Sequence, residues 1–136
     1  MDGDRNSVTA EKKMDGVREF RVDRELMDER LTARILVLPG GVEAHIYGGC
    51  LPHIGAVSIV DPDGCLTTTQ FPGHKDGVVS DKWAKAIAGA GRLLVTVAAG
   101  IHYDNLTKEG IGAVVEATDE MLEEALKEMR DAVESC

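Results

Sequence analysis

Three of the chain's four histidines stand beside glycines at the ends of strand-like runs: His53 in "GGCLPHIGAV", His74 in "FPGHKDG" and His102 in "AGIHYDN". Imidazole ligates divalent metals and carries protons near neutral pH, and glycine lets a backbone or a ligand come close. One loop histidine is ordinarily a turn or surface residue. Three in the same setting make sense as a site only if the fold brings them together. His45 is different: it alternates with Ala44 and Ile46 inside a strand, where a structural role is expected. The sequence holds no HExxH, GxSxG or Walker-type loop, and no Ser or Cys beside an evident base. Nucleophilic catalysis therefore has no support. The cysteines (Cys50, Cys65, Cys136) form no CxxC, and Cys50 and Cys65 read as small residues of strands.

The elements that must position these residues are legible in the periodicity. Residues 1–16 are polar and without period and read as a loose tail, so a single domain is expected over 17–136. "REFRVDREL", "LTARILVLP", "EAHIYGG", "IGAVSIV" and "CLTTTQF" read as five meandering strands, the last two joined by "DPDG" turn chemistry. The period then changes. "DGVVSDKWAKAIAGAG" carries Val79, Trp83, Ala86 and Ile87 at helical spacing, "RLLVTVAAG" is a sixth strand, and Thr107 caps a last helix running to about Val133. That helix shows an apolar stripe of Ile111, Val114, Val115, Thr118, Leu122, Ala125, Leu126, Met129 and Val133. The expected fold is α+β, a single domain with a largely antiparallel sheet of about six strands and two helices.

This order brings the histidines together. A hairpin closed by "DPDG" sets His53 opposite about position 72, next to His74. The helix that follows is a crossover, which makes strands five and six parallel and puts Gly100, His102 and Asp104 on the same rim. Both helix N-termini, near Asp76 and Thr107, then point there, and unpaired amides with the helix dipole favour an anion such as phosphate. Lys75 is placed to complement a phosphate or is plain surface. Asp104 and Asn105 contact a ligand or cap the last helix. Tyr103 and Phe71 cover a flat ring or pack in the core. Imidazoles, a carboxylate and phosphate-friendly amides on one rim suit a divalent metal with an anionic cofactor.

Charge narrows the partners. Of 24 acidic and 15 basic residues, residues 107–136 hold nine acids and three bases, so the net charge of -9 sits mostly on the last helix, which reads as solvated. No basic stripe is present for a phosphate backbone, which argues against nucleic acid. No apolar run approaches a bilayer span and no apolar signal core opens the chain, so it reads as cytoplasmic.

At "GGCLPHIGAVS", "FPGHKDG" and "AGIHYDNLTKEGI" the chain resembles the LpdD-like prenylated flavin chaperones, which are distantly similar in fold to proteasome assembly chaperones. The resemblance covers about residues 32–115. It implies a small, metal-dependent binder of reduced prenylated FMN that helps to mature UbiD-type aromatic acid decarboxylases, and not an enzyme. Carried over by motif, His53, His74 and His102 are the metal or cofactor contacts. Lys75, Asp76, Gly100, Tyr103, Asp104 and Asn105 neighbour them as cofactor-binding candidates. Two other readings use the same residues. One is a metal-dependent hydrolase with Asp104 or Asp76 as base; the other is an assembly chaperone without cofactor, like the proteasome chaperones. A homodimer is expected, because an exposed sheet edge invites pairing.

Overall fold

The computed structural model describes residues 6–14, 16–72, 75–91 and 93–134. Seven strands and two helices follow in the order β1 (Ser7–Met14), β2 (Val17–Leu26), β3 (Glu29–Leu38), β4 (Gly41–Gly49), β5 (Ala56–Val60), β6 (Leu66–Gln70), α1 (Gly77–Ala88), β7 (Leu94–His102) and α2 (Lys108–Glu134). The α+β class and two helices match the sequence reading, with one strand more. The addition is β1, which pairs antiparallel with β2 through a bulge between Ala10 and Lys12. Its alternation is hidden by charged side chains, a composition common on edge strands.

The sheet runs β1-β2-β3-β4-β7-β5-β6. β5 is antiparallel to both β6 and β7, so β6 and β7 are parallel, as the crossover rule requires. The hairpin register, Ala56 opposite Gln70, lies one residue from the expected one. The expected meander is corrected at one place. β7 inserts between β4 and β5 and runs parallel to β4, with Gly49 opposite His102. The segment from β4 to β5 therefore has to arch across the end of β7, and its backbone bonds show this. Cys50 N–H donates to His102 O (2.8 Å), His53 N–H to Gly100 O (3.4 Å) and Gly55 N–H to Ala99 O (2.8 Å).

Both helices pack on one face of the sheet, α1 against β5, β6 and β7, and α2 against β2 and β3. Alternation along the strands supplies that face with Phe20, Val22, Ile35, Ile46 and Val97, which close over Trp83 and Met121. Burying such a side chain stabilises the fold by about 1.5–3 kcal/mol. The buried stripe of α2 is largely the expected one: Val114, Thr118, Leu122 and Ala125 are buried, and Leu126 and Met129 pack against the core. Ala117 and Met121 join them, while Ile111 and Val115 at the start of the helix are exposed. The acids of α2 are also less solvated than expected, because Arg24 of β2 pairs with Glu120 and Glu124 and Arg18 with Glu128. α1 is tied down by a polar knot in which Ser58 Oγ meets Ser80 Oγ (2.6 Å) and donates to Asp81 Oδ1 (2.5 Å), with Thr68 on the same carboxylate. That knot fixes the first turn of α1 on β5 and β6. Among the described residues no helix is long and apolar enough to cross a membrane.

Candidate functional site

The arch from Cys50 to Gly55, the last residues of β7 and the start of α1 form one rim. Two side-chain groups stand on it.

The first is His53 with Asp76. His53 Nδ1–H donates to Leu51 O (2.8 Å), and Nε2 lies 3.2 Å from Asp76 Oδ2. The other oxygen of Asp76 accepts Ile101 N–H (3.1 Å), and the backbone carbonyl of Asp76 opens α1 by accepting from Val79 and Ser80. This buried carboxylate therefore holds arch, strand and helix at once. Both His53 ring nitrogens are engaged within the protein in this arrangement.

The second group was only partly foreseen. Cys50, His102 and Asp104 each present a ligand atom, all within 4.8 Å of one another and all on exposed residues. His102 Nε2–H donates to Asp104 Oδ1 (3.0 Å), and Cys50 Sγ lies 3.5 Å from His102 O. Thiolate, imidazole and carboxylate together are a donor set for a divalent transition metal. Cys50 arrives here because β4 runs parallel beside β7, so both strands end together. The adjacency of "GGC" and "GIH" became informative only once that pairing was known.

The remaining candidates divide. Gly100 is buried, and a Cβ there would stand 1.6 Å from His53 O, so its missing side chain admits the chain's own arch rather than a ligand. Tyr103 turns toward the β2–β3 end. Its hydroxyl donates to Leu26 O (2.8 Å), and burial, reinforced by Glu29 and then Cys50, pushes its pKa up to about 12. Asn105 takes a left-handed turn (φ 56°) and Lys75 is exposed just before Asp76. His45 acts structurally, as expected: its Nε2–H donates to His53 O (3.1 Å) and pins the arch. His74 lies outside the described residues, so its expected place beside His53 does too.

Both helices start at this end. Their first amides are partly taken by the protein itself. Gln70 Oε1 accepts Gly77 N–H (2.9 Å) and Thr107 Oγ1 accepts Gly110 N–H (3.0 Å), the latter being the expected cap. With the Asp76 carboxylate also at the start of α1, that terminus is a poorer seat for phosphate than its dipole alone suggests.

The protein-family model for the prenylated flavin chaperone LpdD-like domain matches residues 26–130, which include the whole rim. The chain is also 35% identical to Protein LpdD of Lactiplantibacillus plantarum over 81 residues, which make up 56% of this chain and 60% of that protein. The matched region thus spans about 60% of the relative's length. The rim residues Cys50, His53, Asp76, His102 and Asp104 all fall inside the family match, and the chain belongs to the prenylated flavin chaperone LpdD-like family.

Proposed function

We propose that this protein is a cofactor chaperone that binds reduced prenylated FMN with the help of a divalent metal and passes it to a UbiD-type apo-decarboxylase of aromatic acids. One observation supports the metal most directly: Cys50, His102 and Asp104 gather three different donor types on an exposed rim within the family-matched region. These three residues would hold the metal, which supplies a Lewis-acidic anchor for an oxygen or nitrogen of the flavin. Their exposure leaves coordination positions open to a ligand from outside. His53 and Asp76 keep the arch in place behind the metal ligands. His74 stands in the same motif as a further candidate ligand, and Lys75 and Asn105 flank the opening. Operation as a homodimer belongs to the same proposal.

The test is anaerobic. The metal content of the purified protein and its affinity for reduced prenylated FMN are measured for wild type, Cys50→Ala and His102→Ala. Loss of either ligand is expected to weaken metal and flavin binding together, by about 10-fold or more. EDTA should do the same. Mixing wild type and cofactor with apo-decarboxylase should raise the yield of active enzyme. Full metal content in the Cys50→Ala/His102→Ala double variant would remove the proposed metal site. Reconstitution unaffected by the protein would remove the delivery role.

A further inference from the structure

The end of the molecule that carries the rim also carries most of the exposed apolar surface. Of ten large apolar side chains exposed among the described residues, seven stand at this end, so their placement is not scatter. Val78, Ile111 and Val115 line a cleft between the helices. Lys82 of α1 bonds Asp119 of α2 (2.8 Å), which marks the sides on which the two helices face each other. One turn nearer the rim on those same sides are Val78 (67% exposed) and Val115, with Ile111 (53% exposed) one turn further along α2. Ile101, on the helix-bearing face at the end of β7, is only partly buried there. The cleft therefore opens on the rim and is closed behind by the ion pair. The other four apolar residues complete a collar: Leu51 and Ile54 are on the arch, Phe71 N–H donates to Gly55 O (2.9 Å), and Met27 lies beside Gly110 of α2.

We propose that this apolar collar is the surface on which the protein docks onto its client, and that the client presents apolar side chains and basic residues around the mouth of an empty cofactor pocket. This rests on the flavin-chaperone reading and adds the contact through which handover proceeds. A cofactor held at the rim leaves through the collar, so a receiving protein must seat its pocket mouth there. Apolar side chains on both partners keep water out of such a junction, as the cores of protein interfaces do. Charge selects between a client and a second copy of the chain. The acids Asp28, Glu29, Glu109 and Glu116 stand beside Met27, Ile111 and Val115, and the bases nearby are Arg30, Lys75 and Lys108. The chain's net charge of -9 reinforces this slight local excess of acid. A second copy would meet acid with acid. A protein built to bind a phosphate-bearing cofactor displays lysine or arginine at its pocket, and those cations are drawn to an acidic partner. A homodimer through the sheet edges leaves this end free, so the two contacts are compatible.

Val78→Ser/Ile111→Ser removes both walls of the cleft without touching the rim or the core, because both residues are exposed, and Glu116→Lys changes charge alone beside them. Binding of each variant to a cofactor-free UbiD-type decarboxylase is measured anaerobically, together with the yield of active enzyme. The first variant is expected to weaken affinity for the decarboxylase about tenfold or more. The second is expected to slow association and flatten its salt dependence. Flavin affinity, metal content and melting temperature should match wild type in both. Wild-type binding and activation of the decarboxylase by both variants overturns the docking surface and leaves the chaperone reading standing. A loss of flavin affinity with decarboxylase binding unchanged does the same, as does a change confined to oligomeric state in sedimentation. Failure of the wild-type protein itself to bind or activate the decarboxylase overturns the delivery reading, and the docking surface with it.

Discussion

Replacing Gly100 by alanine tests whether the arch is held as described. The added methyl would lie 1.6 Å from His53 O and 2.2 Å from its carbonyl carbon, so the arch must withdraw by well over an ångström. Three bonds depend on its position: His45 Nε2–H to His53 O, His53 N–H to Gly100 O, and the His53–Asp76 pair. The first two are neutral bonds worth about 0.5–1.5 kcal/mol each, the second at its low end because it is long. The charge-assisted third is worth about 1.5–3 kcal/mol, so the variant should lose about 3 kcal/mol in all. For a chain of this size that lowers the melting temperature by about 10 °C. Circular dichroism reads the melt. Hydrogen exchange locates the change, with Gly55 N–H, which bonds Ala99 O, losing protection before the β2–β3 ladder does. An unchanged melting temperature with Gly55 still protected would refute the claim that Gly100 exists to admit the arch.

Gly112 is the opposite case: nothing lies within 4 Å of a Cβ there, and it sits inside α2. Gly112→Ala should therefore stabilise the protein by about 0.5–1 kcal/mol, seen as a higher melting temperature. Tyr103, with its pKa raised from 10.0 to about 12, makes the folded state hold a proton that the unfolded chain releases. Its contribution to stability is complete below pH 10 and lost as pH rises toward 12, so denaturant melts of Tyr103→Phe should show a shallower alkaline decline than wild type. Sedimentation at micromolar concentration should show a homodimer, since β1 and β6 leave both edges of the sheet open among the described residues. A monomer would contradict this.

The fold was legible where one physical signal acted alone. Trp83 and Ile87 at helical spacing, the Thr107 cap and the "DPDG" hairpin each needed only local chemistry, and each appears in the structure within a residue or two. Non-local competition was not legible. Whether β4 pairs with β5 or accepts β7 between them depends on which partner buries Val42, Ala44 and Ile46 better under α1 and α2, and periodicity carries no information on that choice. The two departures in the α2 stripe have a similar origin: Ile111 and Val115 fit the helical period as well as Ala117 and Met121 do, and the position of the sheet decides which of them turn inward.

The candidate site follows the same division. Parallel placement of β6 and β7 sufficed to bring His53, Asp76 and His102 to one rim, and it did so without knowledge of the strand order. Grouping within the rim did need that order. With β4 ending beside β7, the residue after Gly49 becomes a neighbour of His102, and Cys50 changes from a small strand residue into a candidate metal donor. The same insertion makes the arch long enough for His53 to turn back onto Asp76. A histidine expected to hold metal thus has both nitrogens bonded within the protein, while a cysteine expected to pack stands exposed beside an imidazole and a carboxylate. His53→Ala should therefore cost stability more than metal, and Cys50→Ala metal more than stability. Measuring both quantities on both variants separates the group that builds the rim from the group that uses it.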